Sequence, residues 1–169
     1  MVTRGSITVG AGTVVVHQKR VLLVRLTYSD LIGRFMLPGG YVRPEETPES
    51  AAIRETAEEA GIEVEIVGLL GLRFRIERDE NNTYCIFLAR WIGGEPRPHG
   101  RENDAVQWFS EDELHNEPDH FVPLARYAAL AGFQCSSAAL PIVSEDLWPA
   151  RDARSWRVYL PRTPENSSQ

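Results

Sequence analysis

Glu55, Glu58 and Glu59 stand within five positions of one another in "IRETAEEAGI", residues 53–62. Read as an α-helix at 100° per residue, they fall inside an arc of about 100° and span only about 6 Å along the axis. Like charges three or four positions apart on a helix cost a few tenths of a kcal/mol per pair. Carboxylates so placed are hard oxygen donors. They suit a magnesium ion, which takes oxygen ligands in an octahedron and keeps several waters. A bound cation would offset the repulsion and reverse the local sign of an acidic chain toward an anionic substrate.

Such a cluster needs a helix and something rigid to hold it. Thr47 is a suitable N-cap, Pro48 suits the first turn and Gly61 suits the C-terminal cap, so the spacing predicts a helix over 48–60. Ile53, Thr56, Ala57 and Ala60 recur at i, i+3, i+4 and i+7 and are expected to pack on a sheet, with the glutamates pointing roughly the other way. Upstream, "SITVGAGTVVVHQKRVLLVRL" reads as a hairpin turning at "HQKR", and "GRFMLPGG" as a short strand stopped by Pro38. Downstream, "EVEIVGLLGLRFRIER" and "TYCIFLARWIGG" read as strands joined by "DENN". Ser110 and Glu113 form a capping-box pattern for a short second helix, and "PLARYAALAG" is a third. The order implies an α/β (α+β) domain with helices packed on a mixed sheet.

The bulk numbers narrow the class. The chain has 169 residues, 43% of them hydrophobic, and carries a net charge of −6. That suits one domain with a good-sized core and argues against generic nucleic-acid binding. Cys85 and Cys135 match no metal or redox spacing. No apolar run approaches the 18 or more residues of a membrane span, and the first ten residues lack the apolar core of a signal peptide. A cytoplasmic protein without membrane attachment is the expectation.

"GYVRPEETPESAAIRETAEEAGI", residues 40–62, resembles the Nudix box. Gly40, Glu46, Arg54, Glu55, Glu58, Glu59, Gly61 and Ile62 match it, and Thr56 stands where the family prefers Leu or Val. Seven fixed identities at background frequencies near 7% make a chance match about a one-in-a-million event. "GRFMLPGG" is similar to the family's lead-in, with Phe35 in a Trp place, and "ENDAVQWFSEDEL" to a downstream segment. The likeness runs over about residues 5–132. A domain at 1–135 and a C-terminal extension at 136–169, packed on the domain or on a partner subunit of a homodimer, is the expected organisation.

The resemblance implies a Mg²⁺-dependent hydrolase, Mn²⁺ substituting, that cleaves the diphosphate linkage of a nucleoside diphosphate derivative. It implies a Nudix fold, a mixed β-sheet sandwiched between helices. By the same resemblance Glu55, Glu58 and Glu59 hold metal with Gly40 beside them, while Glu46 and Arg54 support them. The family draws its general base from the box or from a later loop, and Glu102 is the candidate outside the box. Arg25, Arg73 and Arg75 are candidate phosphate contacts, although Arg73 and Arg75 share a strand face that more commonly meets solvent. Tyr28, Phe35, Phe74 and Tyr84 are candidate base-stacking groups, against the commoner core role of strand aromatics.

Two other readings stand beside the hydrolase. A non-catalytic nucleotide-binding module would commonly have an eroded box, whereas every charged position here is intact. An isoprenoid diphosphate isomerase would use a cysteine ahead of the box, whereas both cysteines follow it. The substrate is open, because the signatures of the individual branches are absent. Thr56→Val is expected to stabilise the helix packing or leave it unchanged. In the extension, "WRVYL" alternates like a strand, and Trp148, Trp156, Tyr159 and Leu160 suggest order rather than a disordered tail.

Overall fold

The computed structural model describes residues 6–77 and 79–134, together with the backbone of 142–143 and 153–159. Cys135, Trp148 and Leu160, and the side chains of Trp156 and Tyr159, lie outside the described residues.

β1 (Ser6–His17) and β2 (Arg20–Leu26) form the expected hairpin. Its turn is tighter than "HQKR": Gln18 and Lys19 take it alone, at φ 47° and 59°. Two left-handed residues match the right-handed twist of the flanking strands. The pair stays together only at Val16–Val21 and His17–Arg20 and then parts. β2 goes on to pair with β3 (Phe35–Met36) and β7 (Asn103–Ser110). β1 pairs antiparallel with β4 (Gly39–Tyr41) and parallel with β6 (Glu80–Gly94). β6 pairs antiparallel with β5 (Ile62–Glu77). The sheet is therefore mixed, with the order β3-β2-β1-β6-β5-β9-β8, β4 on β1 and β7 on β2. β8 (Ile142–Val143) and β9 (Ala153–Tyr159) come from the extension, and β9 runs antiparallel along β5 from Leu72 to Glu77. The strand expected from "WRVYL" is present in the backbone.

Among the described residues, three α-helices cover the sheet: α1 (Pro48–Ala60), α2 (Glu111–Asn116) and α3 (Pro123–Gln134). Successive residues of a strand face opposite sides. Val14 accordingly joins Leu23, Leu37, Tyr84 and Ile86 in a core with Leu124, Ala128 and Leu130 of α3. Val15 joins Leu22, Val24, Ala60, Ile62 and Ala89 on the other side, where Ala11, Ala51, Ala52 and Phe87 form a further cluster. Each fully buried Leu, Ile or Phe contributes about 1.5–3 kcal/mol by leaving water. Helices thus lie on both faces, as the resemblance implied.

Two elements depart from the sequence reading. "GRFMLPGG" supplies two strands, because the chain crosses from β2 to β1 between Met36 and Gly39. β7 was read only as part of a motif, yet it pairs with β2 over most of that strand's length. The turn between β5 and β6 is also shorter than "DENN", since Glu80, Asn81 and Asn82 already belong to β6.

Candidate active site

α1 begins and ends where its sequence says it should. Thr47 Oγ1 accepts the Ser50 N–H at 3.2 Å, and Ser50 Oγ accepts the Thr47 N–H at 2.9 Å. At the other end Gly61 has φ 72° and donates its N–H to the Ala57 carbonyl. The face it buries is the expected one at Thr56 and Ala60 but is rotated away from Ile53 and Ala57. Ala51, Ala52, Thr56, Glu59 and Ala60 turn to the sheet, while Ile53 and Ala57 are exposed. Ala51, Ala52 and Ala60 are small enough to let the helix sit close to the sheet.

Glu59 is the main consequence. It does not point away from the sheet; only 5% of it is exposed, and its Oε2 accepts the Gly39 N–H of β4 at 2.8 Å. Burial pushes its carboxyl up to about 8, with Glu55, Glu102 and Glu58 adding to the rise and the Gly39 bond opposing it. Burial likewise raises Glu55, against the Arg54 guanidinium that favours its charged form.

Arg54 draws the other carboxylates together. Its Nε and Nη2 take both oxygens of Glu46 at 2.6 and 2.9 Å, and its Nη1 reaches Glu55 at 2.6 Å and Glu58 at 3.2 Å. Nη2 also donates to the Tyr41 carbonyl at 3.2 Å. That fork holds Glu46 far below the usual carboxylate range, at about 2. Gly40 lies against Glu55: a Cβ there would come within 2.5 Å of its Oε1. Glu102, on the loop before β7, is exposed but contributes to the field at Glu55 and Glu59. Gly40, Glu46, Arg54, Glu55, Glu58, Glu59 and Glu102 are thus brought to one region.

The binding candidates fare differently. Arg25 is engaged with Asp104 through Nε and Nη2 at 2.8 and 3.0 Å. Arg73 does not face solvent: it is 7% exposed, donates to Asn82 Oδ1 at 2.6 Å and lies 5.2 Å from the Tyr84 ring centre. Arg75 pairs with Glu77 and Glu80 at 2.7 and 3.4 Å, mostly buried. Phe35 is core, edge-on to Phe109 at 4.7 Å. Tyr84 is 7% exposed, its ring pressed against Gly10, Gly12 and Gly39, and offers no stacking face. Both aromatics sit on the pleat that faces α3. Tyr28 alone of these rings is half exposed; burial and then Glu59, Glu102 and Glu55 push its hydroxyl up to about 12.

Residues missed at the sequence level are mostly buried polar ones. Thr56 Oγ1 donates to the Ala52 carbonyl at 2.7 Å and meets Thr13 Oγ1 at 2.7 Å, so its hydroxyl is a bonded group and not a poor substitute for a methyl. Asn103 is fully buried and donates to the main-chain carbonyl of Glu59 at 3.0 Å. An amide inside the charged run "GREND", residues 100–104, was the available signal.

The donor set is chemically suited to a hard divalent cation: carboxylates, with one of them buried beside like charges and held by a single N–H. Among the described residues, however, no three Asp, Glu, His or Cys side chains converge closely enough to hold a metal ion. Among the same residues, no helix is long and apolar enough to cross a membrane.

The NUDIX domain family model matches residues 7–130. A MutT-like protein of Streptomyces ambofaciens is 36% identical over 104 residues, which are 62% of this chain and 64% of that protein. An ADP-ribose pyrophosphatase of Methanocaldococcus jannaschii is 33% identical over 103 residues, 60% of each chain. This chain therefore spans less than two thirds of either relative. Among solved structures, a MutT NUDIX hydrolase from Burkholderia pseudomallei superposes with a TM-score of 0.64 at 31% identity, covering 73% of this chain and 96% of that one.

Proposed function

The chain belongs to the NUDIX domain family, and from that premise we propose that it hydrolyses the diphosphate linkage of a nucleoside diphosphate derivative in a Mg²⁺-dependent reaction. The observation that carries this reading is the buried Glu59 carboxyl, crowded by Glu55 and Glu58 on one helix and clamped at its back by Gly39. Among the described residues no cationic side chain pairs with Glu59, and a divalent cation would supply that charge.

Glu55, Glu58, Glu59 and the Gly40 main chain would hold the cation. When bound, it supplies charge stabilisation at the phosphoryl oxygens and a more acidic water. The chain's own groups do the rest. Arg54, fixed bidentately by Glu46, orients Glu55 and Glu58. Glu102 is assigned the proton of the attacking water, which one of its carboxylate oxygens accepts. Tyr28 is an exposed ring whose hydroxyl feels these carboxylates, and it is assigned to the leaving group's base or sugar. Residues 1–135 form the catalytic unit in this reading, and 136–169 an extension carried on the sheet edge through β9.

A substrate panel tests the reading: nucleoside triphosphates, ADP-ribose, dinucleoside polyphosphates, NADH and coenzyme A, each with Mg²⁺. The expected result is turnover of at least one, abolished by chelator and restored by Mg²⁺ or Mn²⁺. Glu58→Gln and Glu59→Gln should each lower kcat by roughly 100-fold or more with the circular dichroism unchanged. Turnover that survives chelation would overturn the metal-dependent reading. Silence across the panel would favour a nucleotide-binding module instead.

A further inference from the structure

The loop between β6 and β7 is short, exposed and rich in charge, yet it is tied down at several points. Arg97 N–H donates to the Ala60 carbonyl at 2.9 Å, at the end of α1. Thr27, just past β2, donates its Oγ1 to the Arg101 carbonyl at 2.6 Å and its N–H to the Glu102 carbonyl at 3.1 Å. Gly100, at φ 85°, closes a turn by donating to the Asn103 carbonyl at 3.0 Å.

Asn103 joins these ties from the inside. Its side chain is fully buried. Nδ2 donates to the Glu59 carbonyl at 3.0 Å, and Oδ1 accepts the His99 N–H at 2.9 Å. The Glu59 carbonyl is one of the last four of α1, which have no partner within the helix. One amide therefore spans the main chain of a box glutamate and the main chain of the loop that carries Glu102. The task needs a donor and an acceptor on one short planar group, which Asp and Leu do not offer. The Glu102 side chain is the neighbour of this bridge, and its charge is felt at both Glu55 and Glu59.

We propose that Asn103 is a positioning residue that fixes the Glu102 carboxylate relative to Glu55 and Glu59, so that loop and helix present one cation-binding field. The proposal rests on the assignment of those carboxylates to a cation given above. A plainer role, anchoring the end of α1 for stability alone, gives a different result in a double-mutant cycle.

The readout is Mn²⁺ affinity of the full chain without substrate, from the free-Mn²⁺ paramagnetic resonance signal. Glu102→Gln should weaken Mn²⁺ binding roughly tenfold by removing a nearby charge. Asn103→Ala should weaken it by a similar factor. The double variant should bind within about twofold of Glu102→Gln alone, because a misplaced charge that is already gone has nothing left to lose. Thr27→Val cuts the Arg101 tie without touching α1, so it serves if Asn103→Ala unfolds, and it should show the same non-additivity with Glu102→Gln.

Losses that multiply in the double variants, or an Asn103→Ala variant with lowered melting temperature and unchanged Mn²⁺ affinity, would overturn the positioning role. A chain that binds Mn²⁺ with the expected cycle but turns over nothing would sink the hydrolase reading and leave this one standing. Failure of the wild type to bind Mn²⁺ would sink both.

Discussion

Thr56 stands where the family prefers an aliphatic side chain, and its surroundings explain why a hydroxyl is kept. It donates to Ala52 in its own helix, so the Thr13 hydroxyl of β1 must donate to it. Thr56→Val would leave Thr13 buried without that acceptor, at a cost of about 1–3 kcal/mol. A melting temperature lowered by several degrees is expected, reversing the gain or neutrality expected from sequence. Thr13→Val added to Thr56→Val should recover much of the loss, because two matched methyl groups replace two matched hydroxyls. Full additivity of the two losses would contradict this. Glu46 makes a second residue-scale case. Its folded value of about 2 lies below its ordinary 4.5, so its pairing with Arg54 stabilises the fold above pH 4.5. That stability is lost as pH falls through about 2. Melting temperature between pH 5 and 2 should therefore fall more steeply for the wild type than for Glu46→Gln, which has no charge there to lose. Parallel curves would show that the Arg54 fork does not depend on Glu46.

At the scale of elements, the site depends on how closely β4 and α1 approach their neighbours. Gly39 is pinned by β1: a Cβ there would collide with the Ala11 carbonyl and come within 2.6 Å of the Gly12 Cα, both backbone and unable to yield. Gly39→Ala should force β4 off β1, withdraw the N–H from Glu59 and cost roughly 1–3 kcal/mol. Mn²⁺ affinity should fall with it; a variant that keeps both stability and affinity would show that β4 is not needed to hold Glu59. Gly61 ends the helix in a left-handed conformation that costs a non-glycine residue about 1–2 kcal/mol. Gly61→Ala should lose at least that in denaturant melts, since its Cβ would also come within 2.5 Å of the Arg97 Cγ. A loss well under 1 kcal/mol would mean the end of α1 relaxes freely.

For the whole molecule, the open question is the edge of the sheet. β9 pairs along β5 from Leu72 to Glu77, and that pairing covers backbone that would otherwise form a free edge. An uncovered edge strand is a template for association with another chain. Deleting residues 136–169 should therefore produce concentration-dependent self-association in sedimentation or light scattering. A truncated chain that stays at the wild-type oligomeric state would show that the edge is protected by other means.

The sequence by itself determined what is local. The types and spacing of Gly40, Glu46, Arg54, Glu55, Glu58 and Glu59 are set within one loop and one helix, so the family was legible. So were the caps of α1 and α2 and the hairpin, because each depends on residues a few positions apart. What only the tertiary structure decided is which way those residues face and what lies opposite. A helix with a narrow alanine stripe has more than one face able to pack, and the approach of β1 and β4 selects the one that buries Glu59 and exposes Ile53. Arg73 of β5 and Tyr84 of β6 read as a solvent-facing and a stacking group until their strands pair and the glycines of β1 and β4 close over the Tyr84 ring. Asn103 is a lone amide in a charged run at the start of β7, and its bond to Glu59 crosses 44 positions of sequence. No local pattern encodes a contact of that separation, because it exists only once β7 has docked on β2.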